Sequence, residues 1–338
     1  MIKKILKKIS KDNFSIKLSP ENLKRLENYC ISVKIKNKSD HWDKRNNLDL
    51  LSFENDRVIL RNKPSGFDNF YKLKFTKLNP YEKYWNFIGL LKKFISNFIG
   101  NYYGLGFCGI RHFDKHWPKN KSFFYSGNMF DKKNYIYNIK RYAPFWYFNE
   151  IYNIIKDQDN LNYLEIGPGS GDLITIIKNH SKVKQIFSID LPQNIPFCFL
   201  NIITNFPNST YLLPNEINNE YQKIDAEFVF LDTESTKLLP NNFFDVAVNT
   251  ASLGEMNHEE IKKYFTCLRS CLKKNNVFLN INRVEKTIIN DSNLEYLRFS
   301  EYPWNKDDKD FKYEISNINV GRNMNNAFIK VTNLYTEN

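Results

Sequence analysis

Apolar positions change their period along this chain. From Tyr163 to Ile166 they form a short run broken only by Glu165, while Leu173, Ile174, Ile176 and Ile177 recur at three- and four-residue steps. The first pattern is that of a buried strand and the second that of a helix with one buried face. The alternation continues downstream. Lys184 to Asp190 reads as a second strand, and Leu191-Pro192-Gln193 opens a largely apolar helix to about Asn205. Tyr211 to Pro214 and Glu227 to Asp232 compete for third place, and Phe244 to Asn249 is a fourth strand. Ile261, Tyr264, Phe265, Leu268 and Leu272 then share a helix face, and Val277 to Asn282 form a fifth strand. Phe311 to Ile318 with Phe328 to Leu334 pattern as a closing antiparallel pair. Strands alternating with helices predict an α/β domain built on a mostly parallel sheet.

The front of the chain is less periodic. A helix is predicted near Glu21 to Tyr29, another over residues 80 to 100, and a third near Phe145 to Ile155. In the second, Tyr81, Tyr84, Trp85, Ile88, Leu91, Phe94, Ile95 and Phe98 form a stripe whose default reading is core. The apolar stretch from 84 to 107 is broken by Lys92-Lys93, so it suits a partly buried or interfacial helix rather than a membrane span. We expect two units, a basic accessory and substrate region over 1–120 and the α/β domain over 121–338.

Between the first strand and its helix lies Glu165-Ile-Gly167-Pro-Gly169-Ser-Gly171-Asp172. Glycines let the backbone turn sharply and approach a ligand with no Cβ in the way, and the N–H groups of a helix start favour anionic groups. A dinucleotide fingerprint requires G-x-G-x-x-G, and Asp172 stands where its third glycine belongs, which disfavours a nicotinamide cofactor. Asp190 closes the second strand some 20 residues beyond the loop, where a carboxylate can accept both hydroxyls of a ribose. At the end of the third strand Asp232 is placed to face an adenine.

Charge adds an asymmetry. The net charge is +12, made of +17 over residues 1–150 and −5 over 151–338. A basic front half suits an anionic partner: a nucleotide-sugar, a phosphorylated glycan, a membrane surface or nucleic acid. Part of the Lys, Asn, Ile, Phe and Tyr enrichment is equally what an AT-rich genome produces. Five cysteines without regular spacing fit reduced core residues of a cytoplasmic protein, and Cys267 with Cys271 lacks a second pair to complete a metal site. The first ten residues are basic and have no apolar stretch of signal-peptide length, so no export signal is expected. His112, Asp114 and His116 would project from one side of an extended segment, a weak pattern for a divalent metal; we assign no metal.

With Glu165 ahead of it, E-I-G-P-G-S-G resembles the first motif of class I S-adenosylmethionine-dependent methyltransferases. Ile189-Asp-Leu-Pro192, Tyr211-Leu-Leu-Pro-Asn215, Asn249-Thr-Ala-Ser-Leu-Gly-Glu-Met256, Asn282-Arg283 and Tyr302-Pro-Trp304 narrow the likeness. Over roughly residues 120 to 320 the chain resembles the sugar O-methyltransferases found with surface-polysaccharide synthesis genes. The resemblance implies a doubly wound, Rossmann-like seven-stranded sheet, and the helices patterned ahead of it predict a mostly helical accessory region in front. It implies S-adenosylmethionine as cofactor, held by Glu165, Gly167, Gly169, Gly171, Asp190, Leu191, Asp232 and Asn249. A sugar hydroxyl is a weak nucleophile, so a general base is required, and Glu255 and His258 follow the fourth strand where ligands of α/β sheets bind. Arg283 and Trp304 are candidate glycan contacts, a guanidinium for hydroxyls or phosphate and an indole for a sugar face. A nucleic-acid methyltransferase is the alternative that the basic front suggests, but no N-P-P-Y-type motif follows the fourth strand. A catalytically silent cofactor-binding scaffold is the third reading.

Overall fold

The protein is described here by a computed structural model over residues 14–36, 48, 51–60, 143–217, 225–290, 293–316 and 327–336. The predicted helix over 80–100, the segment 84–107, the His112, Asp114, His116 trio and the boundary near 120 lie outside those residues. Strand β1 (Phe14–Lys17), helix α1 (Pro20–Lys36) and strands β2 (Leu51–Glu54) and β3 (Arg57–Leu60) come first. Helix α2 (Ala143–Ile155), β4 (Asp159–Ile166), α3 (Asp172–His180), β5 (Lys182–Asp190) and α4 (Ile195–Asn205) follow. Next are β6 (Tyr211–Leu212), β7 (Phe228–Asp232), β8 (Phe244–Thr250), α5 (His258–Cys271) and β9 (Leu272–Arg283). A hairpin of β10 (Glu285–Asn290) and β11 (Asn293–Arg298) precedes β12 (Lys309–Ser316) and β13 (Ala327–Asn333).

The large sheet runs β12-β13-β9-β8-β4-β5-β7-β6. Its strands are parallel from β9 to β6, and β13 pairs antiparallel with both β9 and β12. This mixed α/β sheet corrects the expected strand count, because among the described residues it has eight strands rather than seven. Both candidates for the third position are strands, Tyr211 pairing with Phe228 and stacking on its ring at 5.7 Å. Helix covers both faces, so the central strands are buried on both sides and mostly apolar, with a few buried polar residues such as Glu165, Asn249 and Asn282 among them. Val246, Val248, Leu279 and Ile281 point into one core with Phe148, Ile151, Ile174, Ile177 and Phe197 of α2, α3 and α4. Ala247 and Phe278 point the other way, toward Ile261, Phe265 and Leu268 of α5. That is the period-two alternation of a pleated strand.

In the front segment, Leu23, Leu26, Cys30 and Val33 recur along one face of α1 and join the same core as Phe197 and Phe199 of α4. The described front residues also form a three-stranded antiparallel sheet, β1-β3-β2, so the described part of this region is mixed rather than mostly helical. No helix among the described residues is long and apolar enough to cross a membrane. The topology sets up the site. From β4 the chain winds outward through β5, then returns to place β8 on the other flank of β4, and this reversal opens a crevice at the strands' carboxyl ends.

Candidate functional site

The crevice is floored by the glycine loop. Gly167 and Gly169 have φ of 70° and 58°, the left-handed region that a side chain makes costly. Their surroundings differ. A Cβ on Gly167 would lie 2.2 Å from Ser252 Oγ, whereas one on Gly169 would meet nothing within 4 Å. Gly167 is therefore an internal contact with the loop after β8, and Gly169 lines open space that a ligand can enter.

Carboxylates gather around this loop. Glu165 is 1 % exposed, accepts from the Tyr163 hydroxyl at 2.9 Å, and has no ion-pair partner among the described residues. Burial pushes it up to about 8, against the Tyr163 bond, and the charges of Asp190 and Asp172 add to the rise. Asp172 opens α3 and accepts from Ser170 Oγ at 3.0 Å and from Asn201 Nδ2 at 3.3 Å. Asp190 accepts from Gly169 N at 3.0 Å, Leu191 N at 2.7 Å and Asn194 Nδ2 at 3.0 Å. Burial raises its carboxyl despite those three bonds. Backbone donors and an accessible glycine thus lie beside groups that favour a cation.

The remaining predicted residues divide. Asp232 is in register with Asp190 on the neighbouring strand, and half-buried Leu191 follows Asp190 directly. Asp232 also caps the 3-10 turn Thr233–Leu238 by accepting from Ser235 N at 2.9 Å. Glu255 and Arg283 lie together, with Arg283 Nη2 3.5 Å from Glu255 Oε1. His258 begins α5 shortly after Glu255 in sequence, its Nε2 3.3 Å from the carbonyl of Tyr296 on β11.

Two expectations are corrected. Asn249 is fully buried and both ends of its amide bond protein groups. Its Nδ2 donates to Ile166 O at 2.9 Å and to Ser252 Oγ, while Oδ1 accepts from Leu253 N at 3.2 Å and Asn282 Nδ2 at 2.8 Å. It braces the loop after β8 against the residue preceding Gly167 and has no capacity left for a cofactor. Trp304 packs edge-on to Phe265 at 4.9 Å, lies under the Lys330 ammonium at 4.2 Å, and donates Nε1–H to Phe299 O. Its neighbour Pro303 is bonded by Arg269 in the last turn of α5, the end remote from Glu255. The half-buried indole is thus engaged by the protein's own side chains.

Sequence reasoning passed over Tyr163, Asn201, Ser252 and Asn282. Asn201 holds the Ser170 carbonyl at 2.7 Å, and Asn282 Oδ1 accepts from Gly254 N at 2.8 Å. The available signal was polarity out of place: asparagines inside the apolar runs of α4, β8 and β9. Among the described residues, no three His, Cys, Asp or Glu side chains come together as a metal site.

No family model matches the chain, and no curated protein is significantly similar to it. Solved structures with a similar fold include a type 11 methyltransferase from Sulfolobus solfataricus, 16% identical over 55% of this chain and 90% of that one, with a TM-score of 0.33. The 1,6-didemethyltoxoflavin-N1-methyltransferase of Burkholderia thailandensis, crystallised with 1,6-didemethyltoxoflavin and S-adenosylhomocysteine, is 11% identical over 58% of this chain and 78% of its own, with a TM-score of 0.39. The cyclase SpnF reaches a TM-score of 0.41 at 12% identity, over 57% of this chain and 82% of that one. Likenesses this slight carry no argument, and the functional reading stands on the site.

Proposed function

We propose that the chain is an S-adenosylmethionine-dependent O-methyltransferase acting on a sugar hydroxyl of a nucleotide-sugar or a surface glycan. The observation that carries the reading is Glu165, a carboxyl buried beside an open glycine cradle, without an ion-pair partner among the described residues. A buried carboxyl pushed to about 8 gains from a cation beside it. The proposed cofactor carries an ammonium and a sulfonium, which fit a loop flanked by Glu165, Asp172 and Asp190.

In this reading Glu165 and the loop from Gly167 to Gly171 hold the amino-acid end. Asp190 holds the ribose, and Leu191 and Asp232 border the adenine. When bound, S-adenosylmethionine supplies a methyl group activated on sulfur. The chain's own residues then have two tasks, to orient an acceptor oxygen and to take its proton. Alignment in a dry crevice accounts for most of the acceleration, and a base within hydrogen-bond reach adds ~10²–10⁴-fold. Glu255 and His258 are the candidate bases, with Arg283 positioned to bind the acceptor or to steady Glu255.

Sugar as the acceptor is supported by the D-L-P and S-x-x-E-M segments and by the basic front half, which suits a phosphorylated acceptor. Transfer of labelled methyl from S-adenosylmethionine to a panel of nucleotide-sugars, oligosaccharides and RNA tests it. Label on a sugar is the expected result. Label on RNA alone would replace the acceptor, and cofactor binding with no transfer would favour the scaffold reading.

A further inference from the structure

We infer that helix α1, from the front of the chain, is the ribose-side wall of the proposed cofactor site, with Tyr29 and Arg25 as its positioning residues. The inference rests on the cofactor reading above. Two polar fastenings support it, and both reach loops at the carboxyl ends of strands. The Tyr29 hydroxyl donates to Pro192 O at 3.1 Å, just past Asp190 and Leu191, and the ring is 2 % exposed. Arg25 grips Glu216 with Nε and Nη2, each at 2.6 Å, and Nη2 also donates to Tyr211 O at 2.7 Å. Glu216 Oε2 in turn accepts from Leu213 N at 2.9 Å, so the guanidinium closes the turn that follows β6.

Pro192 follows β5 and Glu216 follows β6, with β7 between those strands. Helix α1 is therefore pinned on either side of β7, whose Asp232 is in register with Asp190. The two carboxylates that would meet ribose and adenine lie within electrostatic reach of Tyr29. Burial above all, then Asp232, Cys30 and Asp190, holds its phenol well above the ordinary value. A planar fork on a carboxylate is geometrically demanding, and here it sits on partly buried side chains, 23 % exposed on each partner. Oily packing of Leu23, Leu26 and Val33 would hold α1 against the core without any of these bonds. The polar pair fixes where its end stands relative to the turn after Asp190. The front segment thus governs cofactor affinity, apart from any part it has in binding the acceptor.

The test uses the full chain and two ligands, S-adenosylhomocysteine and 5′-methylthioadenosine, which share the adenosine and differ in the amino-acid end. Binding is measured by calorimetry for wild type, Tyr29→Phe, Arg25→Ala and the exchanged pair Arg25→Glu with Glu216→Arg. Arg25→Ala should weaken both ligands alike by about tenfold, and Tyr29→Phe by a few-fold, about what one hydrogen bond is worth. The exchanged pair should recover only part of the loss, since a carboxylate at 25 cannot donate to Tyr211 O and a guanidinium at 216 cannot accept from Leu213 N. Glu165→Gln, acting at the other end, should weaken S-adenosylhomocysteine alone. If Arg25→Ala does not fold, Tyr29→Phe decides, since it keeps the ring and its packing. Wild-type affinity for both ligands in the folded variants, or loss confined to S-adenosylhomocysteine, would overturn the inference. A wild-type chain that binds neither ligand would remove the cofactor reading itself, and this inference with it.

Discussion

The hydroxyl of Tyr163 donates to Oε2 of Glu165 at 2.9 Å, yet this bond does not keep the carboxyl charged. Burial outweighs it and, with Asp190 and Asp172 nearby, raises Glu165 to about 8. The consequence is a proton linked to binding. At neutral pH the free protein holds that proton, and a cation beside the carboxyl expels it. The bound value is then lower than the free one, so affinity for S-adenosylmethionine should rise with pH through neutrality and level off above about 8. Calorimetry at pH 7 in two buffers of different ionisation enthalpy should register a released proton, and Glu165→Gln should abolish it. Equal heats in both buffers for the wild type would refute the linkage. The same shift sets a stability trend in the free protein. A carboxyl raised above its unfolded value favours folding below about 4.5, and this contribution is lost as pH rises to about 8.

Two of the three left-handed glycines, Gly167 and Gly169, should fail in different ways. Gly167→Ala drives a methyl group to 2.2 Å from Ser252 Oγ, so it should lower the melting temperature and weaken ligand binding together. Gly169→Ala meets no atom within 4 Å and bears only the backbone cost of a positive φ, about 1–2 kcal/mol. It should remain folded while losing at least tenfold in S-adenosylhomocysteine affinity, because its methyl occupies the ligand's space. A Gly169→Ala variant that binds as tightly as wild type would show that the ligand lies elsewhere.

The asparagine brace should carry stability. Asn282→Ala leaves the buried Gly254 N without its partner, at ~1–3 kcal/mol, and takes one of two donors from Asn249 Oδ1, which keeps Leu253 N. Denaturant unfolding should show a loss in that range, and turnover should fall as the turn carrying Glu255 loosens. An unchanged unfolding midpoint would mean that the network forms no net bond.

What could be read from the sequence is what is local. Glycine spacing, a change from strand to helix period and the distance from loop to Asp190 all lie within about thirty residues, and the strand, loop and helix from Asp159 to His180 follow from them. The rest depends on contacts between distant residues. Arg25 meets Glu216 across 191 positions and Tyr29 meets Pro192 across 163, so no window of sequence holds both partners. The hairpin of β10 and β11 went unpredicted because its strands mix charge with apolar residues and give no clear period. Trp304 was ambiguous for another reason: an indole packs on Phe265 or on a sugar with the same surface, and only the fold decides which it meets.

Glu255 and His258 remain to be separated as the base, and their partners make them unequal. Arg283 lies 3.5 Å from Glu255, a contact that gives the carboxyl group a fixed direction. His258 has a carbonyl facing Nε2 at 3.3 Å. A carbonyl only accepts, so in the neutral ring Nε2 carries the proton and Nδ1 is the basic nitrogen. If Glu255 takes the acceptor's proton, Glu255→Gln should lower kcat ~10²-fold or more with ligand affinity within about twofold, because shape is kept and basicity is lost. Arg283→Gln should then reduce kcat less, since it removes an orienting contact and leaves the base in place. If His258 is the base, His258→Asn should lower kcat by the same factor. Stopped assays on the acceptor that the labelled panel identifies would distinguish the two. Should Glu255→Gln and His258→Asn both turn over at the wild-type rate, the base must come from the front half of the chain, and His112 and His116 become the residues to substitute.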